Sequence, residues 1–360
     1  MKLVVFGLTI SSSWGNGHAT LLRALFRQLI ARGHNVTFFE RDVHYYAAHR
    51  DMTELPGGRL VLYANWDEAL AEARREVADA DVAMVTSYCP DGITAAELVW
   101  DSSALRVFYD MDTPVTLSNF RAGQPLTYLD ERGVGEYDLV LSFTGGAALT
   151  ALEQELGARK VAPLYGSVDP DLYQRVTPNE LYSSSCSYLG TYAADRQASL
   201  EQLFIEPARQ RPSERFLIGG AQYPQQFPWT PNIFFVQHLP PSEHPAFFSS
   251  SRLTLNVTRE TMRAMGWCPS GRLFEAFACG TPIISDDWQG LDEFFTPGEE
   301  ILITKTTDDT LQALDLSDAE LAKIATAARE RTLQDHSSAR RAQQFEDLLV
   351  TSREPEAVEA

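Results

Sequence analysis

Residues 269–287 read PSGRLFEAFACGTPIISDD, and the organisation of the chain can be worked outward from this stretch. Pro269, Ser270 and Gly271 form a turn. Residues 272–279 follow as a short helix, because Leu273, Ala276 and Phe277 fall at the i, i+3, i+4 spacing of one buried face. Gly280 stands where a helix needs a left-handed residue to stop. Thr281 and Pro282 then lead into Ile283 and Ile284, an apolar run expected to be a buried strand, which ends in Ser285, Asp286 and Asp287. A helix start offers unpaired N–H groups and a positive dipole end, so Ser270, Gly271 and Arg272 suit an anionic group such as a phosphate. Glu275, expected in about the first turn, could accept two ribose hydroxyls at once. The competing reading is a surface pair between Arg272 and Glu275, three residues apart.

FEAFACGTPIISD, residues 274–286, resembles the donor-site signature of GT-B glycosyltransferases, in particular the CgeB-like branch of the group 1 families. The resemblance implies that Glu275 holds the ribose of a nucleotide sugar and that the small-Cys-Gly-Thr-Pro segment packs the helix on its strand. Many retaining members carry a second glutamate eight residues earlier; here that position is Trp267, so the two-glutamate pattern is incomplete and the anomeric outcome stays open.

The chain has 360 residues, which favours two domains, and its hydrophobic share of 44% is enough for sizeable cores. The net charge of −19 argues against nucleic acid or an anionic membrane as main partner, so any phosphate site must be built locally from helix ends and a few arginines. Cys89, Cys186, Cys268 and Cys279 have no metal spacing and read as buried thiols of a reducing compartment. The first apolar run, residues 3–8, is too short for a signal peptide, and no run reaches the length of a membrane span. A cytoplasmic location is the expectation.

Strands and helices alternate along the first half. Strands are expected at 3–7, 36–39, 59–63, 82–86, 105–109, 139–143 and 161–165. The loop 9–17 ends in WGNGHAT and opens a helix with Leu21, Leu22, Leu25 and Leu29 on one face, which Gly33 stops. A Gly-rich turn after the first strand is where doubly wound sheets bind ligands. A dinucleotide fingerprint is opposed by the distance of its glycines from the strand and by Thr20 at the last position, although Glu40 ends the second strand where a ribose-binding acid would sit. After the linker 166–185 the alternation restarts. Strands end near Thr191, Gly220, Val236 and Val257, with a helix over 195–209 and Ser242 capping a short helix. Two helices follow the opening stretch, the first begun by a Ser317–Glu320 capping box and the second near Asp335.

This gives an α/β chain of GT-B type, with two Rossmann-like parallel-sheet domains facing a cleft. The expected bounds are 1–166 for the acceptor domain, 167–335 for the donor domain, 336–350 for a closing helix that crosses back to the first domain, and 351–360 for a disordered tail. The resemblance implies transfer of a sugar from a nucleoside-diphosphate sugar, UDP- or TDP-linked, to a hydroxyl on a glycan, small molecule or protein, with no resident metal. For the diphosphate the candidates are the 270–272 helix start, the Gly15 and Gly17 loop, and an arginine: Arg196 after Leu189-Gly190-Thr191, Arg272, or Arg259. The resemblance implies His238 and Leu239, at a strand end, as candidates for gripping the base through backbone groups. His18 is the candidate general base for the acceptor hydroxyl, with Asp110 or Asp112 as base or clamp. Asp110 and Asp112 also spell D-x-D, a pattern that holds a divalent cation in the other major glycosyltransferase fold. Trp14, Tyr45, Tyr46 and Trp66 are candidates to line an acceptor site. The rival readings are a GT-B sugar-nucleotide epimerase, a non-catalytic nucleotide- or glycan-binding protein, and an NAD oxidoreductase.

Overall fold

The computed structural model of the chain describes residues 1–353. It divides into two units, one of Met1–Tyr165 with the closing segment from Ser338, the other of Gly166–Ser337. The first unit holds a sheet of seven parallel strands: β1 Lys2–Gly7, β2 Asn35–Arg41, β3 Arg59–Tyr63, β4 Val82–Thr86, β5 Leu105–Asp110, β6 Leu139–Ser142 and β7 Val161–Pro163. Their order is β3-β2-β1-β4-β5-β6-β7. Central strands buried on both faces read as continuous apolar runs, as β1 and β4 do.

The second unit holds six parallel strands: β8 Ser184–Leu189, β9 Phe216–Gly220, β10 Ile233–Gln237, β11 Ser251–Asn256, β12 Ile283–Ser285 and β13 Leu302–Ile303, in the order β10-β9-β8-β11-β12-β13. In each sheet the order reverses once, between β1 and β4 and between β8 and β11. In open parallel sheets the crevice at the carboxyl ends of the two strands flanking such a reversal is where ligands bind. This topology decides which loops matter: those leaving β1 and β4 in one unit, and those leaving β8 and β11 in the other.

The helix Gly271–Ala278 lies where the sequence puts one, capped by Ser270 and followed by Gly280 at φ +75°. The boundaries after Ser317 differ from expectation. The Ser317 capping box forms, but its helix runs on to Asp335, so Asp335 closes that helix instead of opening the next. The last helix is Ser338–Arg353. It buries Phe345 and Leu349 in the same core as Leu22, Phe26 and Leu29 of the helix Gly17–Ala31. Glu346 fixes it further, bonded to Arg32 at 2.5 Å and His34 at 2.6 Å; the Arg32 bond, with His34 behind it, pulls its carboxyl down to about 2. Residues 351–353, expected in a disordered tail, are the last turn of this helix; the rest of that tail lies outside the described residues.

The expected helix 195–209 is broken into the turn Ala194–Arg196, the helices Gln197–Leu200 and Glu206–Gln210, and a π turn at Glu201–Ile205 between them. Pro207 has no N–H to give the carbonyl four residues back and its ring crowds that carbonyl, so the backbone widens one turn ahead of it. Ser242 does not cap a helix: it lies inside the turn Pro241–Glu243, and His244–Ser249 follows. Thr113–Arg121 is a helix the pattern did not show, begun at Asp112 with Pro114 in its first turn.

Candidate active site

At the β8–β11 reversal the chain leaves β8 through Gly190 and Thr191, and β11 ends at Asn256. Arg272 reaches back from the helix Gly271–Ala278 and ties these exits together. Its Nε donates to the Leu189 carbonyl and its Nη1 to Asn256 Oδ1 at 2.9 Å, while the guanidinium lies 5.1 Å from the centre of the Tyr188 ring. Gly190 is required here by close approach: a Cβ would come within 2.9 Å of Arg272 Nη2 and 3.0 Å of the Tyr188 hydroxyl. Arg196 joins from the same loop, its Nη1 3.5 Å from Tyr188 Oη and 3.3 Å from the Thr191 carbonyl; its Nε is buried with no partner among the described residues. Burial lowers the Arg272 pKa, the neighbouring Arg196 charge lowers it further, and Tyr188 and Glu275 oppose both.

Glu275 lies in the second turn of its helix, not the first, because the helix starts at Gly271. It does not form a surface pair with Arg272. The carboxyl is partly buried, 3.8 Å from His244 Nδ1, with a hydrogen bond from Tyr173, whose hydroxyl is also 3.3 Å from His244 Nδ1. Burial pushes it up to about 7 against the pull of Tyr173 and Arg272. His244 is pushed down to about 4, mainly by burial, so it stands neutral beside this acid.

The remaining donor candidates are placed as follows. Ser270 accepts from the Arg272 N–H at 3.4 Å. His238 has φ +48° and gives its N–H to the Gly220 carbonyl at 2.7 Å, and the Leu239 carbonyl is 3.3 Å from His244 Nε2, so two backbone groups offered for a base are already engaged. Arg259 pairs with Asp195 at 3.2 Å and does not join Arg196 and Arg272 in their contacts with Tyr188. Trp267, at the position of the missing glutamate, donates to Glu293 Oε1 at 2.8 Å.

In the first unit the reversal is flanked by the loop after β1 and by Ser87 and Tyr88 after β4. Asn16 caps the helix Gly17–Ala31 by accepting from the His18 N–H at 3.1 Å, which sets His18 at the helix start. Burial lowers the His18 pKa and the Asp112 charge opposes this, so the ring is neutral and able to accept a proton. Tyr88 stands beside it, ring centres 5.7 Å apart, and donates to Asp112 Oδ2 at 2.7 Å. Asp110 has a different role from Asp112. Its Oδ1 accepts from the Asp112 N–H at 3.1 Å and from Thr116 at 3.0 Å, and burial pushes it up to about 7. Asp110 Oδ2 and Asp112 Oδ1 are both buried without a partner among the described residues. Among the described residues no three His, Cys, Asp or Glu side chains gather to hold a metal ion.

The loop candidates have structural duties. Gly15 adopts φ +59° and Gly17 is the first helical residue. Glu40, which a dinucleotide site would turn toward a ribose, is turned the other way. Its oxygens take Thr9 Oγ1 at 2.6 Å, Ser11 Oγ at 2.5 Å and the N–H groups of Ile10 and Ser11 at 2.8 and 3.0 Å, so this acid pins the loop after β1. Trp14 stacks on His49 at 3.8 Å, Tyr45 is 47% exposed and packs edge-on to Tyr46, and Trp66 packs on Phe6 and Tyr63. Trp66 therefore belongs to local packing. All four cysteines are buried, and among the described residues none is joined in a disulfide.

Several contributors lay outside the sequence reading. Tyr188 and Asn256 carry Arg272, Tyr173 and His244 surround Glu275, and Tyr88 holds Asp112. A signal for Asn256 existed: a lone amide ending an apolar strand run. Tyr173 stands in the irregular linker, where no periodicity marks it.

Residues 196–347 match the family model described as glycosyl transferase-like. No curated protein matches the chain. Among solved structures, sucrose-phosphate synthase from Thermosynechococcus elongatus is similar at 15% identity and TM-score 0.69, covering 98% of this chain and 99% of its own. HepE of Anabaena, solved with UDP and glucose, is similar at 14% identity and TM-score 0.70, covering 98% and 100%. An alpha-glucosyltransferase in complex with UDP is similar at 15% identity and TM-score 0.69, covering 97% and 100%. The fold is GT-B. Among the described residues no helix is long and apolar enough to cross a membrane.

Proposed function

We propose that this chain, whose residues 196–347 match the glycosyl transferase-like family model, moves a sugar from a nucleoside-diphosphate sugar to an acceptor hydroxyl without a resident metal. The observation that carries the reading is the meeting of two guanidinium groups, Arg196 and Arg272, on one tyrosine at the β8–β11 reversal. Two like charges held together and partly buried favour an anion between them, and the planar guanidinium fits phosphate oxygens. A diphosphate leaving group needs that neutralisation as negative charge develops on it. Glu275 is one helical turn from Arg272, and once ionised its two oxygens can accept ribose hydroxyls.

The chemistry on the acceptor side falls to His18. The acceptor O–H proton passes to the neutral imidazole while the oxygen forms its bond to the anomeric carbon. The bond from that carbon to the phosphate oxygen breaks, and its electron pair leaves with the nucleoside diphosphate toward Arg196 and Arg272. Asp112 stabilises the imidazolium that results. UDP is the first nucleotide to try because HepE and the alpha-glucosyltransferase were solved with it.

The test is release of nucleoside diphosphate from UDP-, TDP-, GDP- and ADP-glucose in the presence of a chelator, with water as acceptor and then with a panel of glycans. Release from one nucleotide class, lost in His18→Ala, supports the reading. Binding of that nucleotide with no release under any condition would favour the non-catalytic binding protein. Neither binding nor release would contradict both.

A further inference from the structure

We propose that Tyr88 is a positioning residue for acceptor deprotonation: its hydroxyl holds the Asp112 carboxylate in place beside His18. The inference rests on His18 being the base, as proposed above. The first observation is the backbone. Tyr88 has φ +64°, in a region that bulky side chains avoid and keep only where the surroundings over-determine them. Here the surroundings do so. The preceding Ser87 gives its N–H to the Tyr109 carbonyl at 3.0 Å and accepts the Met111 N–H on its hydroxyl at 2.9 Å, so the exit of β4 is tied to the exit of β5. That leaves the Tyr88 side chain directed at the residues just beyond β5.

The second observation is what the ring meets. Its hydroxyl donates to Asp112 Oδ2 at 2.7 Å, and its ring lies 5.7 Å from His18 and 5.5 Å from Tyr128. Tyr128 in turn reaches Thr116 at 3.0 Å, and Thr116 holds Asp110. The titratable groups facing Tyr88 are therefore His18, Asp110, Asp112 and Tyr128. The third observation is that Asp112 Oδ1 is buried with no partner among the described residues, although the aspartate stands at the start of a helix. An N-cap carboxylate usually folds back onto that helix. This one does not bond its helix; Tyr88 holds it outward instead, and its charge reaches His18.

The test is the titration of the His18 imidazole by NMR in the full chain, wild type against Tyr88→Phe. Phenylalanine keeps the ring and the fold, and removes the one hydroxyl. Without that donor the Asp112 carboxylate is no longer held beside His18 and its charge opposes burial less, so the His18 midpoint should move downward by about half a pH unit. A midpoint unchanged by the substitution overturns the inference. Turnover separates this from the base reading. With UDP-glucose as donor and water as acceptor, Tyr88→Phe should lower kcat about tenfold, with KM for UDP-glucose unchanged. Tyr88→Asn, which tolerates the left-handed backbone, should lower it equally. If His18→Ala loses activity while Tyr88→Phe keeps the wild-type rate and titration, the inference fails and the base stands. If His18→Ala keeps the wild-type rate, the base reading fails and takes the inference with it.

Discussion

At the β8–β11 reversal Arg196 and Arg272 crowd Tyr188, whereas at the β1–β4 reversal Asp112 and Asp110 stand behind His18 and Tyr88. The two units repeat one topology and place opposite chemistry at equivalent strand ends. In a chain of net charge −19, the cations at the first place are a local exception, set on an aromatic ring and on carbonyls instead of on acids. The acids at the second are rendered usable by burial: one is held near 7, and the other keeps a free oxygen beside a neutral histidine. The contrast teaches that duplication of a fold fixes where a site is, while a few side chains at the strand exits decide whether it grips an anion or takes a proton.

The contrast can be broken from either side. The largest effect is expected in turnover: His18→Ala should cost about 10²–10⁴ in kcat, roughly 3–5 kcal/mol of barrier, and leave the affinity for UDP unchanged. If calorimetry showed UDP binding lost as well, the division of labour between the units would be wrong. Arg272→Ala should do the reverse to binding, weakening UDP about a hundredfold, near 3 kcal/mol, through loss of charged hydrogen bonds.

Glu275 gives a smaller effect and a pH signature. Glu275→Ala should weaken binding of UDP-glucose by about 1–3 kcal/mol. Because burial lifts this acid to about 7, it is largely protonated below that pH and accepts poorly, so UDP-glucose should bind more weakly as pH falls from 8 to 6. Glu275→Gln should flatten that profile, and a profile unchanged by the substitution would remove Glu275 from the ribose.

Asp110 provides the remaining test, in stability. Its folded value of about 7 lies above its ordinary value of 3.8. The unfolded chain therefore releases this proton first as pH rises, and stability declines between about pH 4 and pH 7, then levels. Asp110→Asn should remove that decline, on the order of 4 kcal/mol, read as a gain in melting temperature at pH 7.5 that is absent at pH 4. Equal gains at both pH values would place the effect in packing, not in the buried charge.

Much of the architecture was legible because its cause is local. β3 and β4 match their expected bounds, since strands of a parallel sheet read as apolar runs cut by turn residues. The Ser317–Glu320 box announced its own helix. The end of that helix was not legible, since no glycine or proline marks Asp335, and the break at His336 and Ser337 is set by pairing with Val168, far away in sequence. The candidate residues show the same division. Arg196, Arg272 and Glu275 could be proposed from their places after a strand or at a helix start, but their partners could not. Tyr188 lies under Arg272 only because β8 neighbours β11, and Tyr88 reaches Asp112 only because the β4 exit is tied to β5. Glu40 shows the limit most plainly. Its position at a strand end suggests a ligand, and only the four bonds to residues 9–11 reveal that it holds a loop.

The central claim is that the second unit grips a nucleoside diphosphate with arginines and needs no metal to do so. Calorimetric titration of the full chain with UDP, in EDTA and again in excess magnesium, tests it most directly. The account predicts saturable binding of the same affinity in both. Binding that appears only with magnesium, or binding of NAD with none of UDP, TDP, GDP or ADP, would contradict it.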